Sequence, residues 1–305
     1  MRILSLLPSA TEIVYALGLA DDLVGVSHEC DYPPEVKAKP VISTNDLNAC
    51  INSAQIHNAV NTHRHPAHSL YRLDERLLRE IDPEIILTQE LCEVCAIPVA
   101  QVRQAARILA GPCRIVSLEP TNLRQILDNI LTVGEVTGRD ERARVVTQLL
   151  QRRIDQVAES TSNVASRPRV FCMEWMDPAM AGGHWIPEMI RLAGGTDGIG
   201  NDGAPSTVVP WERVVEYRPE VIVVMPCGYK IERTLGEVGR LSARAGWRDF
   251  PAVLAGRVYV VDSPSYFSRP GPRTVTGLEI LGEIIHPELF SEKIPPEAAV
   301  KLSNC

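Results

Sequence analysis

The residues best able to bind or react fall in a few short phrases of the chain. Cys92 and Cys95 stand three residues apart in "TQELCEVCA" (88–96), directly after the apolar run "EIILTQ". Two thiols so spaced between a strand and a helix form a redox pair when the helix N-terminus lowers the first thiol's pKa. The same spacing supplies half of a structural zinc site. It also suits two small, half-buried packing residues. The spacing leaves packing and function balanced, with zinc ahead of redox. His28 or Cys30 in "SHECDYP", with His184 or Glu174 later in the chain, are the donors that would complete a zinc set.

Other phrases carry weaker signals. His63, His65 and His68 in "NTHRHPAHSLY" have a metal-like spacing but no carboxylate or cysteine beside them, and read as a surface or cleft-rim loop. Glu174, next to Trp175 and close to Asp177, suggests paired carboxylates for acid–base work. No nucleophile accompanies them, and strand-end carboxylates commonly serve as caps. "GGTDGIGNDGAP" (194–205) is glycine-rich but has neither the GxGxxG register nor the lysine of a phosphate loop. In "SRPGPR" the prolines fix a turn, and Arg269 and Arg273 either meet an anion or cap a helix. The serine–histidine proximities lie in turn-rich segments without a nucleophile elbow, which places a hydrolase far behind.

Composition bounds the classes open to the chain. At 305 residues it exceeds the usual size of one hydrophobic core, so two lobes are expected. A formal net charge of -7, with no long Lys/Arg block, speaks against a nucleic-acid or anionic-membrane partner. The apolar run at the N-terminus, Ile3 to Leu7, is shorter than the ~7–15 residues of a signal-peptide core and reads as a buried strand. No run of ~18 apolar residues marks a membrane span. Eight cysteines in a chain of this size without an export signal are expected to be reduced. These readings together give a cytoplasmic expectation.

The elements that must position these residues follow from the apolar pattern. Strands are expected at "RILSLL", "LVGVS" (23–27), "EIILTQ" (84–89) and "RIVSLE" (114–119), separated by helical segments such as "PSATEIVYALGLA" and Pro98–Leu109. That alternation means a parallel sheet with helices on its faces. From Leu123 to about Val157 apolar residues recur at helical spacing with no strand signal, giving one long helix or two abutting ones near Gly134 and Gly138. Alternation resumes with "RVFCMEW" (169–175), "VIVVMP" (221–226) and "RVYVVD" (257–262), and with a helix in "HWIPEMIRLAGG". The expected plan is an α/β fold of two Rossmann-like lobes. Residues 1–122 form the first, 123–160 a connecting helix, 161–290 the second and 291–305 a weakly patterned tail. Ligands of open parallel sheets bind beyond the carboxyl ends of the strands. Here those ends carry "PSAT", "SHECDYP", the CxxC, "EWMDPAMAGGHW", "MPCGY" and "DSPSYFSRPGPR", so a cleft between the lobes is expected.

The order of these segments resembles a known family. "ILSLLPSATEIVYALGLADDLVGVSHECDYP", "SLYRLDERLLREIDPEIILTQELC", "EWMDPAMAGGHWIPEMIRLAGG" and "SRPGPRTVTGLEIL" are similar to the cobalamin-binding type of ABC-transporter substrate-binding protein. That type belongs to the helical-backbone metal-receptor superfamily, class III of the periplasmic-binding-protein-like folds. The likeness covers roughly residues 2 to 285. It implies two lobes on a single long helix that move little on binding, no enzymatic activity, and an ABC permease as partner if the chain is exported. It also implies cobalamin or a related corrinoid as ligand. The residues then expected at the ligand are Ser9, His28, Glu174, Trp175, His184, Trp185, Tyr266 and Arg269; Cys30, Cys92 and Cys95, a departure from a family that needs no thiols, are expected as metal donors. Trp175, Trp185 and Tyr266 would supply the aromatic face. A bare zinc or iron ion, or an iron–sulfur cluster, held by the Cys/His set is the alternative, and a CxxC oxidoreductase a more distant one.

Overall fold

A computed structural model describes residues 1–45, 52–62, 71–89, 99–290, 295 and 297–302. The chain divides into two compact units, the first drawn from residues 1–148 and the second from 149–305 together with Asn52–Ala54 and Thr121–Leu123. Both are α/β.

The first unit begins with β1 (Ile3–Ser5), α1 (Pro8–Ala16), β2 (Leu23–Val26) and β3 (Ser43–Asn45). It continues through α2 (Ser53–Thr62), β4 (Tyr71–Leu73), α3 (Glu75–Ile81), β5 (Ile85–Thr88), α4 (Val99–Ala106) and β6 (Arg114–Ser117). Its sheet has the order β2-β1-β5-β6, and every pairing is parallel. All residues of β1 and β5 are buried, which is why their sequences run apolar without alternating. Pro8 opens α1 at a position where a missing N–H leaves no bond unmade. At α3, the Asp74 carboxylate accepts the Leu77 N–H at 2.9 Å and caps the helix. Leu4 and Ile86 of the sheet, Leu78 of α3 and Val102 of α4 then close one core cluster. β3 and β4 form a separate antiparallel pair that the apolar pattern did not announce.

The long helical stretch is two helices, α5 (Leu123–Thr137) and α6 (Asp140–Ser160). Gly138 parts them at φ +66°, a backbone state that other residues reach only with strain. The division between the units falls inside α6, after Gln148.

The second unit runs β7 (Val170–Trp175), β8 (Met180–Ala181), β9 (Gly183–His184), α7 (Ile186–Leu192), β10 (Asn201–Asp202), β11 (Thr207–Val208) and α8 (Trp211–Tyr217). Then follow β12 (Val221–Val224), α9 (Ile231–Val238), α10 (Pro251–Leu254), β13 (Val258–Val261), α11 (Ser263–Tyr266), α12 (Thr274–Ile285) and β14 (Ala299–Lys301). The six-stranded sheet has the order β11-β8-β7-β12-β13-β14. Its centre, β7-β12-β13, is parallel, and β8, β11 and β14 add antiparallel edges. Val221, Ile222, Val223 and Val224 of β12 are fully buried, each worth roughly 1.5–3 kcal/mol relative to exposure. The tail, expected to be weakly patterned, contributes β14 as an edge strand.

Candidate ligand-binding site

In the first unit the strand ends hold their polar residues in local hydrogen bonds. Ser9 lies buried in the first turn of α1. Cys30 is buried, with Sγ at 3.1 Å from Thr11 Oγ1 and 3.2 Å from Ser27 Oγ. Two hydroxyls thus flank the thiol among the described residues. His28 uses both ring nitrogens: Nε2 lies 2.8 Å from the Asn45 amide and Nδ1 lies 2.7 Å from Ser43 Oγ. Ser43 Oγ also accepts the His28 backbone N–H at 3.1 Å. An amide N–H donating to Nε2 fixes the proton on Nδ1, so the ring is neutral in this arrangement. Burial lowers its pKa in the same sense, against the pull of Glu29. A metal on His28 would have to break one of these bonds.

The second unit gathers the larger set. Glu174 and Trp175 end β7. Glu174 is partly exposed as a residue, but Oε2 turns inward to the Gly183 N–H at 3.4 Å. Desolvation raises its pKa, and hydrogen bonds from Ser206 and Gly183 offset this only in part. Trp175 is held from two sides. Its indole N–H donates to Ser53 O at 3.2 Å, and its ring meets Tyr229 edge-on at 5.4 Å. Glu237, buried in α9, accepts the Ser53 N–H at 3.0 Å and the Ser53 hydroxyl at 2.8 Å on Oε2. Its Oε1 accepts the Tyr229 hydroxyl at 3.1 Å. Burial, with the Glu237 charge behind it, pushes the Tyr229 hydroxyl up to about 12, so it remains a donor. Trp175, Ser53, Glu237 and Tyr229 thus form a closed ring of contacts.

Further along, His184 sits at φ +51° and stacks on Trp185 at 5.5 Å. Its Nε2 is buried with no hydrogen-bond partner among the described residues, and desolvation lowers its pKa. Strain and an unmet polar atom together are features that mark functional positions. Trp185 itself is 5% exposed and donates its indole N–H to Phe267 O at 2.8 Å. The residue stands as the N-cap of α7 and its ring is buried, so it is not an open face. Tyr266 is partly exposed, with the Arg273 guanidinium 5.8 Å from its ring. A Cβ at Gly277 would run into the Tyr266 carbonyl oxygen, so this close approach of α12 requires glycine. Arg269 contributes its carbonyl to the Thr274 hydroxyl at 3.0 Å in the turn before α12.

Cys92, Cys95 and the three histidines at 63, 65 and 68 lie outside the described residues. Among the described residues no group of three or more His, Cys, Asp or Glu is placed to hold a metal ion. Ser53, Tyr229 and Glu237 were not singled out from the sequence. Ile231, Thr234 and Glu237 are the buried positions of α9, three residues apart, so a carboxylate in register with Ile231 was the available signal.

Two α/β units with aromatic and ionisable residues at their strand ends match the open-sheet class, in which ligands meet the carboxyl ends of the strands. The chain belongs to the periplasmic binding protein family, whose profile matches residues 3–264. It is 26% identical over 302 residues to an uncharacterised ABC transporter substrate-binding lipoprotein, YvrC, of Bacillus subtilis, covering 95% of this chain and 82% of that one. It is 27% identical over 282 residues to the vitamin B12-binding protein of Vibrio cholerae, covering 91% and 86%. In structure it resembles the periplasmic haem-binding protein RhuT of Roseiflexus sp. RS-1, with a TM-score of 0.69 and 24% identity over 95% of this chain and 99% of the other. These relatives are named as binding proteins, not enzymes. The family is periplasmic and its Bacillus relative a lipoprotein, which corrects the cytoplasmic expectation in favour of an extracytoplasmic one. The apolar start contributes β1 and carries no information on compartment. No helix among the described residues is long and apolar enough to cross a membrane.

Proposed function

We propose that the chain is a substrate-binding protein for a metal-bearing macrocycle, a corrinoid first, and that it serves an ABC permease. The observation that carries this reading is the fixed indole of Trp175 at the carboxyl end of β7. Its N–H is tied to Ser53 and its edge to Tyr229, so its plane is set before any ligand arrives. Pre-set aromatic faces suit large planar ligands because little side-chain entropy remains to be lost on binding. The vitamin B12-binding relative and the haem-binding structural neighbour support a macrocycle in particular, and the substrate-binding relative supports a permease partner. Tyr266, Glu174 and His184 belong to the same unit's strand ends and complete the candidate set, with Arg269 nearby in sequence.

The test is a visible-absorbance titration of reduced, chelator-treated protein with aquocobalamin, run beside hemin. A saturable shift near one equivalent of aquocobalamin, lost in Trp175→Ala and kept in Trp175→Phe, is the expected result. No shift at micromolar protein sinks the corrinoid reading, and a shift with hemin alone moves the ligand to the porphyrins.

A further inference from the structure

Beside Trp175 the second unit contains a cavity of about 240 Å³ lined by Ser53, Met176, Asp177, Glu237, Arg240, Leu241 and Arg244. Whole small-molecule ligands occupy about 300–1,000 Å³, so this space suits one substituent of a larger ligand and not the ligand itself. The charged groups of the lining differ in what they have left to offer. Both oxygens of Glu237 are taken by Ser53 and Tyr229. Arg244 donates to Met176 O at 2.7 Å, lies 3.7 Å from Asp177 and stands 4.8 Å over the Trp211 ring. It is pinned, and it answers the charge of Asp177. Arg240 is exposed, and its guanidinium makes no hydrogen bond or ion pair with the described residues. Met176 and Leu241 supply buried apolar wall between these groups.

The geometry points to an anion-binding subsite in which Arg240 receives a carboxylate or phosphate arm of the ligand. The reasoning is by elimination within the lining, since among its described residues Arg240 is the one charged side chain not already engaged there. A guanidinium fork matches either anion bidentately, and a charge-assisted pair is worth roughly 1.5–3 kcal/mol, about ten- to a hundredfold in affinity. Position strengthens the assignment. Met176 follows Trp175 in the chain, and Ser53 both accepts the Trp175 N–H and lines the cavity. A ring lying on Trp175 would therefore have this cavity within reach of a side arm. The inference rests on the proposed ligand site for its biological meaning, but the subsite can be tested alone.

Calorimetric titration with inorganic phosphate, and separately with succinate, at low ionic strength is the direct experiment. Saturable binding of one equivalent is expected, weakened about ten- to a hundredfold in Arg240→Gln and partly restored in Arg240→Lys, which keeps the charge but not the fork. A preference for phosphate indicates the phosphodiester of a corrinoid nucleotide arm, and a preference for succinate the propionates of a porphyrin. Absence of saturable binding below about 10 mM, or equal binding by wild type and Arg240→Gln, overturns the subsite. These results are independent of the macrocycle titration. Anion binding at Arg240 without any macrocycle binding upholds the subsite and ends the corrinoid reading. Aquocobalamin bound alike by wild type and Arg240→Gln, with no anion binding, does the reverse.

Discussion

Two carboxylates of the second unit are buried by opposite means, and they should respond to substitution in opposite directions. Glu237 meets three donors, from Ser53 and Tyr229. In Glu237→Ala those donors lose their acceptor inside the protein, and urea unfolding should show a loss of about 2–4 kcal/mol. Glu174 is desolvated more than it is compensated, and its pKa is raised from the usual 4.5. The unfolded chain then gives up that proton first as pH rises, so the group's contribution is best below 4.5 and declines through the raised value. Glu174→Gln should accordingly be more stable than wild type at pH 7, with the gain vanishing as pH falls towards 4.5. His28 and His184 have the reverse sign. With native pKa values below the ordinary 6.5, their contribution is complete above 6.5 and is lost on acidification as the unfolded chain takes up protons first. Denaturation midpoints of His184→Gln should fall less than those of wild type between pH 6.5 and 5. At this scale the strand-end rule brought Glu174, Trp175 and His184 into view. Ser53 and Glu237 were hidden by their sequence separation of 184, a distance no periodicity spans.

At the scale of elements, apolar runs located the parallel strands because both their faces are covered and no alternation is needed. Edge strands were not legible for the complementary reason. β8, β9, β10 and β11 are two residues each, too short to carry a period, and owe their existence to pairing with neighbours. The break between α5 and α6 was marked by its glycine. Two glycines here should differ in kind. Gly138 has open space around its Cβ position, so Gly138→Ala meets only backbone strain and should lower stability by about 1 kcal/mol. Gly277→Ala drives a methyl group at the Tyr266 carbonyl oxygen and should lower it by about 1–3 kcal/mol. Because that contact seats Tyr266, Gly277→Ala should weaken macrocycle binding as well, whereas Gly138→Ala should leave it intact. Thermal melts with and without aquocobalamin separate the two.

For the whole molecule, the extracytoplasmic family places cysteines where oxidants act, and among the described residues Cys30 and Cys172 are shielded by burial. Among the described residues, Cys30, Cys113, Cys172 and Cys227 form no disulfide with one another. Desolvation raises Cys113 to about 11 and Cys172 well above its ordinary value, which leaves almost no thiolate at neutral pH. Mass-spectrometric mapping after brief iodoacetamide treatment of native protein should find Cys227 labelled ahead of Cys30, Cys113 and Cys172, with the difference erased in urea. The four tryptophans give the molecule a property of another sort. Trp175, Trp185 and Trp211 each donate their N–H to a backbone carbonyl, and Trp247 is sealed in the core. Trp211 lies under Arg244 of the cavity wall, and Trp175 ends the strand beside it. The two indoles most open to solvent are thus the two that touch residues of the cavity lining, Ser53 and Arg244. Occupancy is written into the protein's own ultraviolet emission: a colourless anion would perturb the band and a coloured macrocycle would quench it, with no dye attached.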